Sequence, residues 1–495
     1  MMVDKGQGRI ALSASSQTIG NLIVALMAVG ILRITTHQLG PSDYGLFALV
    51  VTYVSLVSLI ADLGITAMTT RELSRAGADR STLFGTAFSS RVALSVLAIP
   101  VIIGSAAFLY PDKGSQFHAA IEVMSLDVLF TTVQVTAGTA FSAMVRGHVL
   151  AIVTVANRVL YLVGVVFVAV AHGSYLGYIC AYVGADFLIA VLLFTMARIE
   201  MPFRWSFDVR AWCRTLWTAL PLGSIQLIGN VYGWIDSILL SLLRSSAELG
   251  FYSVAFNVIN VLGAVPSFLM QALIPSLVNA SSREVHRLVN RAVYVLVCVG
   301  APLAAGGIVL RNDIVLVLAG DRFLPAATPL AILSATLPVT FVQTAIGFTS
   351  VAIDRYRPLL IVGAGTLLFN VAINLILIPI YGPIGAASSL LCSEVISLIA
   401  TYIVFRHLSA VRIEWRALWR PLLASGFVLG LSAARSILWA HQNRYLALII
   451  GGVLVILVYG LVLLVVGGVP QELRRSKRFR SRAPLPPFKE DGTDG

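Results

Sequence analysis

The chain has 495 residues, of which 58% are apolar and only 12% charged, with a mean hydropathy of +0.89. An average soluble domain is roughly 25% charged, so this chain owns too few polar side chains to cover a water-exposed surface. Disordered, collagen-like and disulfide-rich secreted classes are excluded by the same figures, and the net charge of +12 has to be read by its placement.

A spanning helix needs about 20 apolar residues. Hydrophobic runs separated by short polar turns predict spans at 18–38, 44–69, 84–108, 119–145, 150–171 and 174–198. The next six fall at 213–240, 248–277, 286–310, 325–352, 356–379 and 382–405, and two more at 417–439 and 445–468. An even number, fourteen, places both termini on one side. Of the 35 lysines and arginines, 26 fall in the segments on the side of the termini, and six lie opposite (Lys113, Arg244, Arg311, Arg322, Arg435, Arg444). The remaining three, Arg33, Arg91 and Arg158, lie inside spans. The positive-inside rule then makes both termini of this multi-pass membrane protein cytoplasmic. The strip Arg474–Arg482 reads first as contact with an anionic leaflet rather than with nucleic acid, with docking of a cytoplasmic partner as the alternative, and the Pro-rich and Gly/Asp-rich end beyond it reads as disordered. The cysteines Cys180, Cys213, Cys298 and Cys392 have no metal-binding spacing and read as small buried residues of helices.

The two halves repeat. Gly173-Ser174-Tyr175-Leu176-Gly177 leads to Asp186 and Arg198, and Gly382-Pro383-Ile384-Gly385 leads to Glu394 and Arg406, both at an offset of 208. Gly45 and Gly250 match at 205. Six spans per repeat enter the membrane the same way round. The expected fold is therefore an all-α bundle of two six-helix lobes about a pseudo-two-fold along the membrane normal, with a cavity between them and two extra C-terminal helices. The expected division is an N-terminal segment 1–17, an N-lobe 18–200, a C-lobe 201–406, spans thirteen and fourteen within 407–468, and a tail 469–495.

An ionisable side chain at bilayer depth costs roughly 2.5–3.5 kcal/mol on insertion scales and so faces a cavity or a partner. Arg33 lies about 22 Å from the inner surface, and Arg91 and Arg158 about 10–12 Å, at 1.5 Å per residue. Guanidinium forks match phosphate oxygens, so these three are candidates for binding an anionic cargo. The alternative is structural pairing, with Asp62 beside Arg91 or Arg158, and Asp127 or Asp236 beside Arg33. Asp186 and Glu394, near the midplane at matching repeat positions, are candidates for proton or sodium coupling, or for a plain helix-capping role. No cofactor is expected.

Leu39-Gly40-Pro41-Ser42-Asp43-Tyr44-Gly45-Leu46-Phe47, followed by Asp62-Leu63-Gly64 and Thr70-Arg71-Glu72-Leu73, resembles a signature of bacterial polysaccharide exporters. Tyr381-Gly382-Pro383-Ile384-Gly385-Ala386-Ala387 resembles a later segment of the same group. The chain looks like a Wzx-type lipid-linked oligosaccharide flippase of the multidrug/oligosaccharidyl-lipid/polysaccharide (MOP) exporter superfamily. That resemblance implies an undecaprenyl-pyrophosphate-linked glycan, such as an O-antigen, capsule or exopolysaccharide unit, moved between leaflets by two alternately opening bundles. It also implies a polymerase and export machinery as partners. A lipid II flippase or a drug-cation antiporter would share the fold. A membrane-embedded polymerase, ligase or acyltransferase lacks its usual marks here, since no GxSxG or HExxH motif or large loop is present. A pure scaffold would not need arginines inside spans.

Overall fold

The computed structural model describes residues 2–73, 80–143, 147–200, 205–278, 280–355, 357–409, 411–430 and 444–468. The tail and the 200/201 division between lobes lie outside them. Helix is the dominant structure and no strand occurs among the described residues, as a bilayer demands, because helices satisfy their own backbone hydrogen bonds. Large apolar side chains such as Phe108, Phe167, Ile361 and Leu368 point outward, where lipid is the solvent.

The N-lobe comprises α1 (Met2–Asp62), α2 (Ile65–Leu73), α3 (Arg80–Leu109), α4 (Ser115–Ala143), α5 (Gly147–Val170) and α6 (Tyr175–Glu200). Nominally one helix, α1 is kinked at Gly40, where φ is 72°, a conformation cheap only for glycine. Pro41 then opens the second segment, its missing N–H no loss at a first helical position. The C-lobe comprises α7 (Val209–Leu243), α8 (Ser246–Gly263), α9 (Val265–Val278), α10 (Ser282–Val309), α11 (Arg311–Leu318), α12 (Ala327–Ser334), α13 (Leu337–Ala352), α14 (Arg357–Tyr381) and α15 (Pro383–Leu408). Beyond the repeat stand α16 (Trp419–Gly430) and α17 (Arg444–Val465), which pack on each other and on α10. Caps fix several starts: Asp208 accepts from the N–H groups of Arg210 and Ala211, and Ser281 and Glu284 form a capping box. The Ser281 hydrogen bonds hold the exposed Glu284 carboxyl below the usual carboxylate range.

Among the described residues, eleven helices are long and apolar enough to cross a membrane, twelve with the pair Asp321–Ser334 and Leu337–Ala352, bent by 44°. The 37-residue stretch Ile23–Leu59 is interrupted by the kink at Gly40, in the polar turn between the first two expected spans. Of the expected span thirteen, Trp419–Gly430 is described and 431–439 lie outside the described residues. The cysteine reading needs correction: Cys180, Cys213 and Cys392 are exposed, because a thiol is apolar enough to face lipid and gains nothing by burial there.

The lobes meet along a seam at two places where side chains are absent. A Cβ on Gly45 would lie 1.8 Å from the Ser246 carbonyl, and one on Gly250 would lie 2.2 Å from that of Pro41. These two glycines are the repeat-matched pair. At the other end of the seam, a Cβ on Gly223 would lie 2.2 Å from the Leu63 carbonyl, and one on Gly64 (φ 84°) would lie 2.4 Å from the Gly223 nitrogen. The first contact sits beside the ends of α3, α7 and α14, where Lys113 donates to Ser246 Oγ (2.9 Å) and Tyr110 pairs with Ser241 (2.7 Å). The second sits toward the arginine-rich end, where the chain crosses between lobes and Ser206 N–H donates to Ser89 Oγ (3.1 Å).

Candidate functional site

Between these contacts lies a cavity of about 500 Å³ bounded by both lobes. Tyr44, Ser55, Arg158, Tyr161 and Tyr182 line it from the N-lobe, and Trp234, Ser237, Ser253 and Asn257 from the C-lobe. Asn257 Nδ2 donates to Tyr44 Oη across the seam (3.0 Å). Arg158 projects from the middle of α5, eleven residues from its start, beside Tyr161 and Tyr182, whose rings meet edge-to-face at 5.1 Å. Among the described residues it is the one charged side chain on the cavity wall, which is otherwise mostly apolar and aromatic with a few hydroxyls and Asn257.

Tyr182 also borders a smaller N-lobe chamber of about 240 Å³, which holds Asp62, Arg91 and Asp127. Arg91 is buried, donates to Thr136 Oγ1 (2.8 Å), and pairs with Asp62 at 3.4 Å, while its Nε has no hydrogen-bond partner. Asp62 also caps α2, accepting from Thr66 N–H (3.1 Å) and its hydroxyl (2.6 Å). Of the structural pairings expected from sequence, Asp62 with Arg91 is the one formed. Asp127 and Asp236 do not meet Arg33. That arginine lies in the seam instead, donating to the Val317 carbonyl and, at 2.6 Å, to Tyr445 Oη.

The carboxylates fall into three groups. Asp127 is buried, lies within hydrogen-bonding reach of Asp186, and has a buried Oδ1 without a partner. Asp186 accepts from Asn157 Nδ2, and its main-chain carbonyl accepts from Gln134 Nε2 at 2.8 Å. The same main-chain bond recurs in the C-lobe, where Gln343 Nε2 donates to the Glu394 carbonyl at 2.8 Å and also to its Oε2 at 2.8 Å. Tyr232 adds a hydrogen bond to Glu394 Oε1 at 3.1 Å. The two glutamines stand 209 apart in Thr131-Thr132-Val133-Gln134 and Thr340-Phe341-Val342-Gln343. That echo, overlooked in the sequence reading, was the signal that could have found them.

The third group is built on Asp236 and is buried in the C-lobe. Its Oδ1 accepts from Asn374 Nδ2 (2.6 Å) and its Oδ2 from Tyr252 Oη (3.2 Å). Asn374 also donates to Asn370 Oδ1 (3.0 Å), and Asn370 to Ser393 Oγ (3.3 Å). Asn374 Oδ1 and Ser389 Oγ are buried without partners. Oxygen donors with spare lone pairs around one carboxylate are what a hard cation binds. No group of three or more His, Cys, Asp or Glu suited to a metal ion occurs among the described residues.

Comparison with known proteins places this geometry in a family. The family model described as polysaccharide biosynthesis protein matches residues 11–281, more than half of the chain, and the MatE model matches residues 221–376. The chain is 25% identical over 169 residues to the probable flippase AglR of Haloferax volcanii, a match covering 33% of this chain and 35% of that protein. Among solved structures, the lipid II flippase MurJ in an inward closed conformation superposes with a TM-score of 0.74, at 14% identity, over 94% of this chain and 99% of that one. An inward-facing MATE-family multidrug transporter of the MOP superfamily superposes with a TM-score of 0.64, at 13% identity, over 80% and 97%. With the matched family model, the two-lobed bundle and the membrane-spanning helices in agreement, the chain belongs to the polysaccharide biosynthesis protein family and has the MOP-superfamily fold.

Proposed function

We propose that this protein is a flippase that moves an undecaprenyl-pyrophosphate-linked oligosaccharide from the inner to the outer leaflet of a bacterial cytoplasmic membrane. Both termini are cytoplasmic in this reading, residues 18–200 and 201–406 form the moving lobes, and 407–468 are appended. One observation carries it: the cavity between the lobes has Arg158 as its charged wall residue among those described. In a low dielectric a guanidinium fork binds phosphate oxygens bidentately and stays charged, while the surrounding tyrosines, Trp234 and hydroxyls offer stacking faces and hydrogen bonds to sugar rings. A cationic wall repels a drug cation, which weighs against the antiporter reading. A lipid II flippase shares the pyrophosphate chemistry and stands as the second reading, supported by the breadth of the MurJ likeness.

A cavity of about 500 Å³ falls in the range of sites for drug-sized ligands, roughly 300–1,000 Å³. It takes the pyrophosphate and the adjoining sugar, so a whole oligosaccharide requires the lobes to part. Arg91 lines the smaller chamber rather than this cavity, and neutralises Asp62 there. Direction comes from differential binding in the two states. The Asp236 cluster is suited to a sodium ion, and the Asp127–Asp186 pair to a proton. A polymerase or export complex would take the glycan on the far side.

The test is flipping in proteoliposomes by the wild-type protein, with carriers bearing oligosaccharide, lipid II or no glycan, and a cationic dye as the antiport control. Flipping of the oligosaccharide carrier alone is expected. Preference for lipid II would select the second reading, and dye export without lipid flipping would overturn both.

A further inference from the structure

Arg33 enters an unusual place for an arginine of a transporter's first span. The short helix α11 ends beside it, at Leu318. The last carbonyls of a helix have no intrahelical donors. Here the N–H groups of Ala319 and Gly320, the latter with φ 84°, turn back onto Val315 and Leu316. Val317 and Leu318 are served instead from the other lobe: Arg33 Nη1 donates to the Val317 carbonyl, and Thr36 Oγ1, which donates to the Leu32 carbonyl of its own helix at 2.8 Å, shares that proton with the Leu318 carbonyl at 3.2 Å. A cation at a helix C-terminus also meets the negative end of its dipole. Arg33 reaches at the same time to α17, where Tyr445 Oη accepts from Nη2 and the guanidinium carbon lies 5.5 Å from the ring centroid.

Resting on the two-lobe transport reading, we propose that Arg33 and Thr36 are a latch on the outer seam, capping α11 across the lobe interface, and that Tyr445 joins the appended helices to that latch. Three contacts from one turn of the N-lobe thus cross to C-lobe or appended elements, next to the Gly45–Gly250 contact that closes the same end. Outward opening must strip two carbonyls and a guanidinium of their partners inside the membrane boundary. The latch therefore biases the molecule toward outer closure, and Arg33 is a positioning residue that acts through α11 without touching cargo.

The test is a distance measurement by pulsed electron paramagnetic resonance in nanodiscs without cargo. Spin labels go on the exposed outer-end positions Gln116→Cys of the N-lobe and Asn312→Cys of the C-lobe, after the four native cysteines are replaced by serine. Arg33→Ala is expected to raise the long-distance, outward-open population roughly tenfold, the scale of one lost charge-assisted hydrogen bond. Thr36→Val and Tyr445→Phe should shift it in the same direction by less, and Arg33→Lys should restore part of the closure. An Arg33→Ala protein that is monodisperse and equally stable, with an unchanged distance distribution, would overturn the latch. Should Arg33→Ala fail to fold, Thr36→Val carries the test with the same sign, and no shift there would overturn it. Because no cargo is present, a distance shift in a protein that flips no glycan would fault the cargo reading alone.

Discussion

Depth and charge singled out Arg33, Arg91 and Arg158 in the sequence, but side-chain direction separates them, and direction depends on neighbouring helices that no single span reveals. Arg158 lines the interlobe cavity, Arg91 is held by Asp62 and Thr136, and Arg33 crosses the seam. The Asp236 cluster was legible only as one acidic residue, because Asn370, Asn374 and Ser393 come from helices more than 130 positions away. Asp236→Asn should leave cargo binding in place while abolishing the stimulation of flipping by a sodium gradient, measured as initial rate with and without the gradient. An unchanged sodium response would remove that cluster from coupling. At the arginine-rich end, the Glu284 cap has a depressed carboxyl, so its contribution is present above the ordinary carboxylate range and is lost as pH falls through the depressed value. Wild type should melt above Glu284→Ala at neutral pH, and the gap should close on acidification. A gap independent of pH would deny the cap its charge.

At the scale of elements, the glycine contacts carry opposite predictions for the two ends of the seam. Alanine at Gly250 forces its Cβ against the Pro41 carbonyl, and alanine at Gly223 forces one against that of Leu63. Overpacking of this kind typically costs about 1–3 kcal/mol, and it is relieved by parting the lobes at that end. With Ser253→Cys as a reporter in the cavity, Gly250→Ala should raise labelling by an impermeant thiol reagent from the outer side. Gly223→Ala should raise it from the inner side. The same response from both variants would contradict two separate closures. Gly45 and Gly250 were visible as a repeat pair, since a repeat about a central axis brings matching residues together. Gly64 and Gly223 were not, because they match no repeat position and their contact depends on the break after Asp62, set by backbone angles of Leu63 and Gly64.

For the whole molecule, the crossings and the two-fold repeat were readable because hydropathy, arginine placement and the 208-residue offset are linear patterns. Arg198 and Arg406 end α6 and α15, as their matched positions require. The break in α1 at Gly40 falls in the polar turn between the first two expected spans, whereas the bend between α12 and α13 was less accessible, since it is a two-residue break inside one apolar run. Function condenses at the cavity, where the account rests on one cation. The most direct measurement compares initial flipping rates of an undecaprenyl-pyrophosphate oligosaccharide by wild type, Arg158→Lys and Arg158→Ala at matched protein incorporation. Loss of a charge-assisted bidentate contact, about 1.5–3 kcal/mol, predicts a fall of roughly ten- to a hundredfold for Arg158→Ala, with Arg158→Lys between. Equal rates for all three proteins would contradict pyrophosphate recognition by this cavity.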